Sequence, residues 1–374
     1  MPKVCIVTFF KHNFGAFLQA YALQRMLGLL HADAELLDYD YARDRTFLGV
    51  PFSTARRPLV FSKSVLYRLM RRRVRKETDA IFRECAERLI PQTRYYRTYK
   101  DVKATPPDAD VYLVGSDQVW NPEMAPQGFL SRLLDFAPEE SRVLASYAAS
   151  IGKNTLSDHD KKMFMEKLAR FDALSVREAS SAALLDGLTD KPVLIHKDPT
   201  LLLTSDEWDE FARNVPFRKP YLFLYLVQND FSLVSKAVHL AKDNGWGIVD
   251  CHSSANYSLP GSLNGNGLLS PPEFVGAIRE AEYVVTNSFH CLVFSTHYRK
   301  RAFVKFPPRL SGRLRELVEA CGLRRLTQDR LVESTELEDI YARIPAHLAS
   351  EREKAKKYLE NLLEIARNKR QNAR

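Results

Sequence analysis

No stretch of this 374-residue chain approaches the ~20 consecutive apolar residues that a bilayer-spanning helix needs. The opening residues, MPKVCIVTFF, hold one Lys and a short apolar run that meets His12 and Asn13 before any small-residue cleavage site. That predicts a first β-strand and not a secretory leader. Cysteine is scarce and scattered: five residues, odd in number, never in a C-x-x-C pair. A disulfide framework and a zinc site are both disfavoured, and a reducing cytoplasmic setting is expected. Repeats, low-complexity tracts and nucleic-acid-binding motifs are absent, so no nucleic-acid partner is expected. No cluster asks for a metal; His297 stands too far along its helix from His290 to share one. Residues 54–76 carry nine Lys or Arg and no Asp or Glu, so the net charge of +9 belongs to this segment and the rest balances. Its apolar residues recur at helical spacing. The pattern fits either a basic helix packed on its own domain or a peripheral contact with an anionic membrane surface.

What is present is a soluble globular composition, 45% hydrophobic and 27% charged, in a chain long enough for two domains. Strands and helices alternate almost throughout. Strand-like runs fall at Lys3–Phe10, Glu35–Leu37, Asp110–Val114, Arg142–Ala148, Ala173–Val176 and Val193–Ile195. A second series runs through Tyr221–Val227, Gly247–Asp250, Tyr283–Thr286 and Ala302–Phe306. This rhythm predicts an α/β fold of two Rossmann-like halves with parallel sheets facing a ligand cleft. The expected boundaries are residues 1–205 for the first domain, 206–219 for a linker, 220–345 for the second domain and 346–374 for a C-terminal helix. Ser270-Pro271-Pro272-Glu273 predicts a helix start with a capping box.

Four loops at strand carboxyl ends are the candidate site, because open parallel sheets bind ligands there. Asn13 and Gly15 open the first helix, where a tight turn can offer amides to an anion or a sugar hydroxyl. Ser116, Asp117, Gln118 and Trp120 lie in Gly115–Pro122, a string of hydrogen-bonding side chains with a Trp that would suit a carbohydrate. Arg177, just before a helix start, would suit a carboxylate or phosphate through its planar fork, or else form a salt bridge. Asn287, Ser288, Phe289 and His290 follow the strand Tyr283–Thr286, with Asn287 or Ser288 as helix cap. A histidine in that first turn can act as acid or base beside a bound anion, or serve structure alone. Lys305, Arg299 and Lys300 are weaker cationic candidates. Asp38-Tyr39-Asp40 has the D-x-D form of metal-dependent sugar transferases but reads as a turn.

Six strings stand in order: Asn13-Phe-Gly-Ala-Phe-Leu-Gln-Ala-Tyr-Ala-Leu-Gln24, Val114-Gly-Ser-Asp-Gln-Val-Trp-Asn-Pro122, Tyr147-Ala-Ala-Ser-Ile-Gly152, Ser175-Val-Arg-Glu178, Asp198-Pro-Thr-Leu-Leu-Leu203 and Ser288-Phe-His290. Together they resemble the polysaccharide pyruvyl transferase family over about residues 3–325. The resemblance implies a GT-B-like fold with its C-terminal helix crossing back, the acceptor on the first domain and the donor on the second. It implies phosphoenolpyruvate as co-substrate with no further cofactor. The acceptor would be a sugar diol of a surface polysaccharide or its lipid-linked precursor, and the products a cyclic ketal and phosphate. His290 would be the active-site histidine and Arg177 an arginine at the donor. Two other readings remain: a GT-B glycosyltransferase using a nucleotide sugar, although no Glu-anchored ribose string is found in the second half, and an inactive glycan-binding homologue.

Overall fold

The computed structural model describes residues 1–11, 13–39, 46–47, 50–51, 72–124, 126–138, 142–252, 259–265, 268–307, 311–328 and 330–372. Most of the basic segment 54–76 therefore lies outside the described residues, which resume in the helix Arg72–Leu89.

The chain divides into two compact units. The first comprises Met1–His12, Ala16–Pro199 and Glu353–Arg374; the second comprises Asn13–Gly15 and Thr200–Arg352. Both are α/β and built on parallel sheets, as the GT-B-like class read from the sequence requires. In the first unit the strand Lys3–Val7 pairs on one side with Asp33–Leu36 and on the other with Val111–Val114, which pairs with Val143–Ser146. Single bridges from Ala145 to Ala173 and from Ala149 to Val176 carry the parallel order on to Leu174–Val176 and its partner Val193–Ile195. In the second unit Gly247–His252, Tyr221–Leu226, Tyr283–Thr286 and Arg301–Val304 lie side by side in that order, all parallel.

Every residue of Val111–Val114, Tyr221–Leu226 and Tyr283–Thr286 is buried. That is why these strands read as unbroken apolar runs and not as alternating ones: helices cover both faces of a parallel sheet. Each sheet also reverses its strand order once, between Lys3–Val7 and Val111–Val114 in the first unit and between Tyr221–Leu226 and Tyr283–Thr286 in the second. Those reversals open a crevice at the strand carboxyl ends.

Helix starts follow their capping chemistry. Ser270 accepts from the Glu273 amide while Glu273 reaches back to the Ser270 amide, with Pro271 in the first turn. The expected linker is corrected. Ser205–Phe211 is a helix with its own capping box from Thr204 and Glu207, and it belongs to the second unit, whose boundary falls at Thr200. The reason is Trp208. Its indole is wholly buried, donates to the Thr200 carbonyl at 3.3 Å and meets Phe294 edge-on at 4.7 Å, contacts that a solvated linker does not make. The C-terminal helix, Ile344–Asn372, gives its residues from Glu353 to the first unit. Leu359, Leu362 and Leu363 are buried there, and the Tyr358 hydroxyl donates to the Ser146 carbonyl at 2.7 Å.

Candidate active site

In the second unit, the strand Tyr283–Thr286 ends beside Tyr221–Leu226 at the order reversal. Three side chains carry the backbone from there into the helix Phe289–His297. The Thr286 hydroxyl donates to the Tyr225 carbonyl at 2.6 Å and accepts the Ser288 amide at 3.0 Å. The Asn287 carboxamide continues the ladder past the strand ends. Its Oδ1 accepts the Val227 amide and its Nδ2 donates to the Gln228 carbonyl, both at 2.8 Å. Ser288 is the helix cap, its hydroxyl accepting the Cys291 amide at 3.3 Å. Asn287 and Ser288, expected to touch substrate, are buried and hold the helix start in place.

His290 is the second residue of that helix and is half-buried. Phe289 meets its ring edge-on, with centroids 5.0 Å apart at 87°. Gly15 is a further neighbour. A Cβ built on Gly15 would lie 2.1 Å from the imidazole Nδ1, so position 15 must be glycine for the ring to stay where it is. The reason is space and not backbone conformation. Phe14 fixes this approach by stacking on Phe274, with centroids 4.3 Å apart and planes 12° apart, and by meeting Tyr225 edge-on at 5.9 Å. Asn13 is exposed, just before the helix Phe14–Leu29. Residues from two distant stretches of sequence, 13–15 and 286–290, thus form one locus.

Further along the same helix, His297 packs against its neighbours. Its Nε2 lies 2.7 Å from the Thr200 carbonyl, and its ring neighbours Trp208 and Phe294. Burial pushes its pKa down from the ordinary value to about 4, against the opposing pull of that carbonyl.

In the first unit, Arg177 is buried and faces three carboxylates: Asp198 at 2.8 Å, Glu178 at 3.3 Å and Asp117 at 3.6 Å. Burial alone would lower its pKa, but the three carboxylates overcome this and raise it. The salt bridge anticipated as the alternative reading of Arg177 is therefore present, threefold. These carboxylates converge on a guanidinium, and among the described residues no group of three His, Cys, Asp or Glu is arranged to hold a metal ion. Asp117 adopts a left-handed backbone, φ +69°, which Asp tolerates better than most residues. Its carbonyl accepts the amides of Val119 and Ser150. The Ser116 hydroxyl donates to the Ala148 carbonyl at 2.9 Å, and its amide donates to Gln19 Oε1 at 3.0 Å. Gln118 accepts from Asn121 at 2.9 Å. Trp120 is the clearest correction. Expected to suit a carbohydrate, it lies wholly in the core between Phe164 and Phe171, its indole N–H donated to the Arg132 carbonyl at 3.0 Å.

The structure thus brings Asn13, Gly15, Asn287, Ser288, Phe289 and His290 together in the second unit, and Ser116, Asp117, Gln118 and Arg177 together in the first. Sequence reasoning missed Arg132. It is fully buried, with Nε donating to the Val119 carbonyl at 2.7 Å and its guanidinium over Phe9 at 4.9 Å. A lone Arg in the short 3-10 turn Leu130–Leu133 carries no sequence signal of such a role. Asp198 was visible only as part of a supporting string.

Two doubly wound α/β units, each with polar side chains gathered at strand carboxyl ends, define the class of the molecule. A model of the family described as polysaccharide pyruvyl transferase matches residues 13–304, and the chain belongs to that family. Membership makes it a transferase that acts on polysaccharide. Among solved structures, the chain is similar to the UDP-GlcNAc 2-epimerase of Methanocaldococcus jannaschii, at 13% identity over 92% of this chain and 99% of that one, with a TM-score of 0.45. It is also similar to a glycosyltransferase of kitacinnamycin, at 12% identity over 97% and 100%, TM-score 0.47. A third is the wall teichoic acid polymerase TagF, at 11% identity over 100% and 90%, TM-score 0.46. Likenesses this distant say nothing of chemistry. No curated protein sequence matches the chain.

Proposed function

We propose that this protein moves pyruvate from phosphoenolpyruvate onto two hydroxyls of a sugar in a surface polysaccharide or its lipid-linked precursor, forming a cyclic ketal and releasing phosphate. The observation that carries this reading is the seat of His290. A family member holds a histidine in the first turn of a helix, at the order reversal of a parallel sheet, between Gly15 and Phe289.

The reaction makes definite demands. A proton must reach the vinyl methylene, turning it into a methyl group, while a sugar hydroxyl adds to the neighbouring carbon and loses its own proton. A second hydroxyl then displaces phosphate from that carbon, and its proton leaves with the phosphate. His290 can take a proton from an attacking hydroxyl and return one to the methylene or the leaving phosphate, since an imidazole ring carries both an accepting and a donating nitrogen. Arg177 serves this reading through orientation. Three carboxylates already hold its guanidinium, and Asp198 also accepts from the Ser116 hydroxyl at 3.5 Å, so Arg177 ties the Ser116–Asp117 turn in place.

The basic segment 54–76 gives the proposal its location. If the acceptor is lipid-linked, nine cationic side chains without an acid would hold the protein at the inner face of the plasma membrane. Among the described residues no helix is long and apolar enough to cross a membrane.

The test is product analysis. The protein, phosphoenolpyruvate and a panel of synthetic or lipid-linked glycosides should yield acceptor-dependent phosphate and a new ketal methyl resonance. Turnover of a nucleotide sugar, with none of phosphoenolpyruvate, would replace this reading with glycosyl transfer.

A further inference from the structure

Gln19 is wholly buried on the helix Phe14–Leu29, and both polar atoms of its carboxamide are engaged. Its Oε1 accepts the Ser116 amide at 3.0 Å. Its Nε2 donates to the Thr8 hydroxyl and the Phe9 carbonyl, both at 2.9 Å, and to the Ala16 carbonyl at 3.0 Å. Thr8 in turn donates to the Ser116 carbonyl at 3.0 Å, which closes a ring of three residues. The carboxamide fits only one way round, because a flip would set Oε1 against two carbonyls and Nε2 against an N–H.

The ring lies at the order reversal of the first sheet. Thr8 and Phe9 follow the strand Lys3–Val7, and Ser116 follows Val111–Val114. The two four-stranded sheets share one topology: in each, the first strand in sequence lies between the second and the third, and the fourth flanks the third. The Ser116–Asp117 turn therefore holds the place in the first unit that Asn287–His290 holds in the second. Each reversal is bridged by a buried carboxamide, Gln19 in one sheet and Asn287 in the other. Within 115–118 only Asp117 is not buried, so the turn presents a carboxylate.

We propose that Gln19 is a positioning residue for the acceptor sugar, holding the Ser116–Asp117 turn in the orientation that offers Asp117 to a sugar hydroxyl. The sugar as ligand rests on the pyruvyl-transfer reading. A carboxylate accepts a hydrogen bond from a neutral hydroxyl and repels the phosphate and carboxylate of phosphoenolpyruvate, so the turn selects the acceptor over the donor. Packing alone asks only for volume at position 19. A carboxamide that joins two strand ends through both of its polar atoms also fixes direction.

Two readouts test the assignment. Hydrogen exchange followed by mass spectrometry reports the turn, and ligand-observed saturation-transfer NMR reports binding without turnover. The probes are the methyl pyranosides of galactose, glucose and mannose, and separately phosphoenolpyruvate, on wild type, Gln19→Met and Thr8→Val. Met fills the space of Gln without its polar atoms. Thr8→Val opens the ring but keeps Gln19, and stands in should Gln19→Met not fold. In a folded variant, exchange at 115–118 should quicken about tenfold, and a glycoside that binds wild type should weaken about tenfold. Phosphoenolpyruvate binding should be unchanged, whereas a merely structural residue would weaken both ligands or neither. Glycoside binding equal to wild type in a folded variant overturns the proposal. So does unaltered exchange at the turn, an equal loss of phosphoenolpyruvate binding, or the absence of glycoside binding to wild type. Gln19-dependent glycoside binding by a protein that neither binds nor consumes phosphoenolpyruvate would instead sink the transfer reading and leave the positioning role standing.

Discussion

Gly15 and His290 stand 275 positions apart in the sequence and meet within van der Waals reach. Gly15→Ala should push the imidazole off its seat while leaving the fold intact. The expected outcome is a kcat far below wild type with a melting temperature within a few degrees, checked by steady-state kinetics beside calorimetry. Asn287 makes a different prediction, because only a carboxamide can accept from Val227 and donate to Gln228 together. Asn287→Asp places a carboxylate oxygen against the Gln228 carbonyl in a buried site and should cost about 1–3 kcal/mol in denaturant unfolding. Arg177→Lys separates two roles. Loss of the planar fork that three carboxylates share should lower stability, and a selective rise in the KM for phosphoenolpyruvate with stability unchanged would instead make Arg177 a donor contact. At this scale the sequence was half legible. The residue types at the strand ends marked the loops that the structure gathers within each unit, and Ser288 as a cap was anticipated. Which of them face substrate and which hold the backbone depends on three-dimensional partners, and Asn287, Gln118 and Trp120 all proved to be committed inward.

Among the elements, apolar periodicity and capping chemistry located nearly every strand and helix, because a parallel strand buried on both faces leaves a continuous apolar run. The failure at 206–219 has a physical cause. The helix Ser205–Phe211 is short and mostly polar, and its one anchor, Trp208, packs on residues that come 86 positions later, at Phe294. Trp208→Ala should therefore destabilise the second unit by about 3–5 kcal/mol, the usual cost of emptying a large buried aromatic site. His297, on the helix that Trp208 covers, adds a pH dependence. Its folded pKa is about 4 against an ordinary 6.5. Between those values the unfolded chain binds a proton that the folded chain refuses, so stability should be full above pH 6.5, fall as pH drops towards 4 and level off below. Thermal melts of His297→Gln should show a shallower acid limb over that window; an identical limb would remove His297 from the account.

For the whole molecule, charge is the property that one segment dominates. The net +9 resides in 54–76, so neutralising Arg71, Arg72 and Arg73 should abolish sedimentation with anionic liposomes while leaving turnover of a soluble acceptor intact. Unchanged sedimentation would assign the segment to its own domain. Two α/β units were legible from the alternation of elements alone. Their boundaries were less so, because the first fifteen residues and the last helix are divided between units that the linear order keeps apart. Reaction class came from the family strings and not from spacing, since fold does not decide function. The central claim is that His290, seated by Gly15 and by the Asn287–Ser288 turn, carries the proton transfers of pyruvyl transfer. Phosphate release from phosphoenolpyruvate with a competent acceptor, for wild type and a folded His290→Ala, tests it most directly. The account predicts a rate lower by about 10²–10⁴-fold in the variant; turnover above about a third of wild type would contradict it.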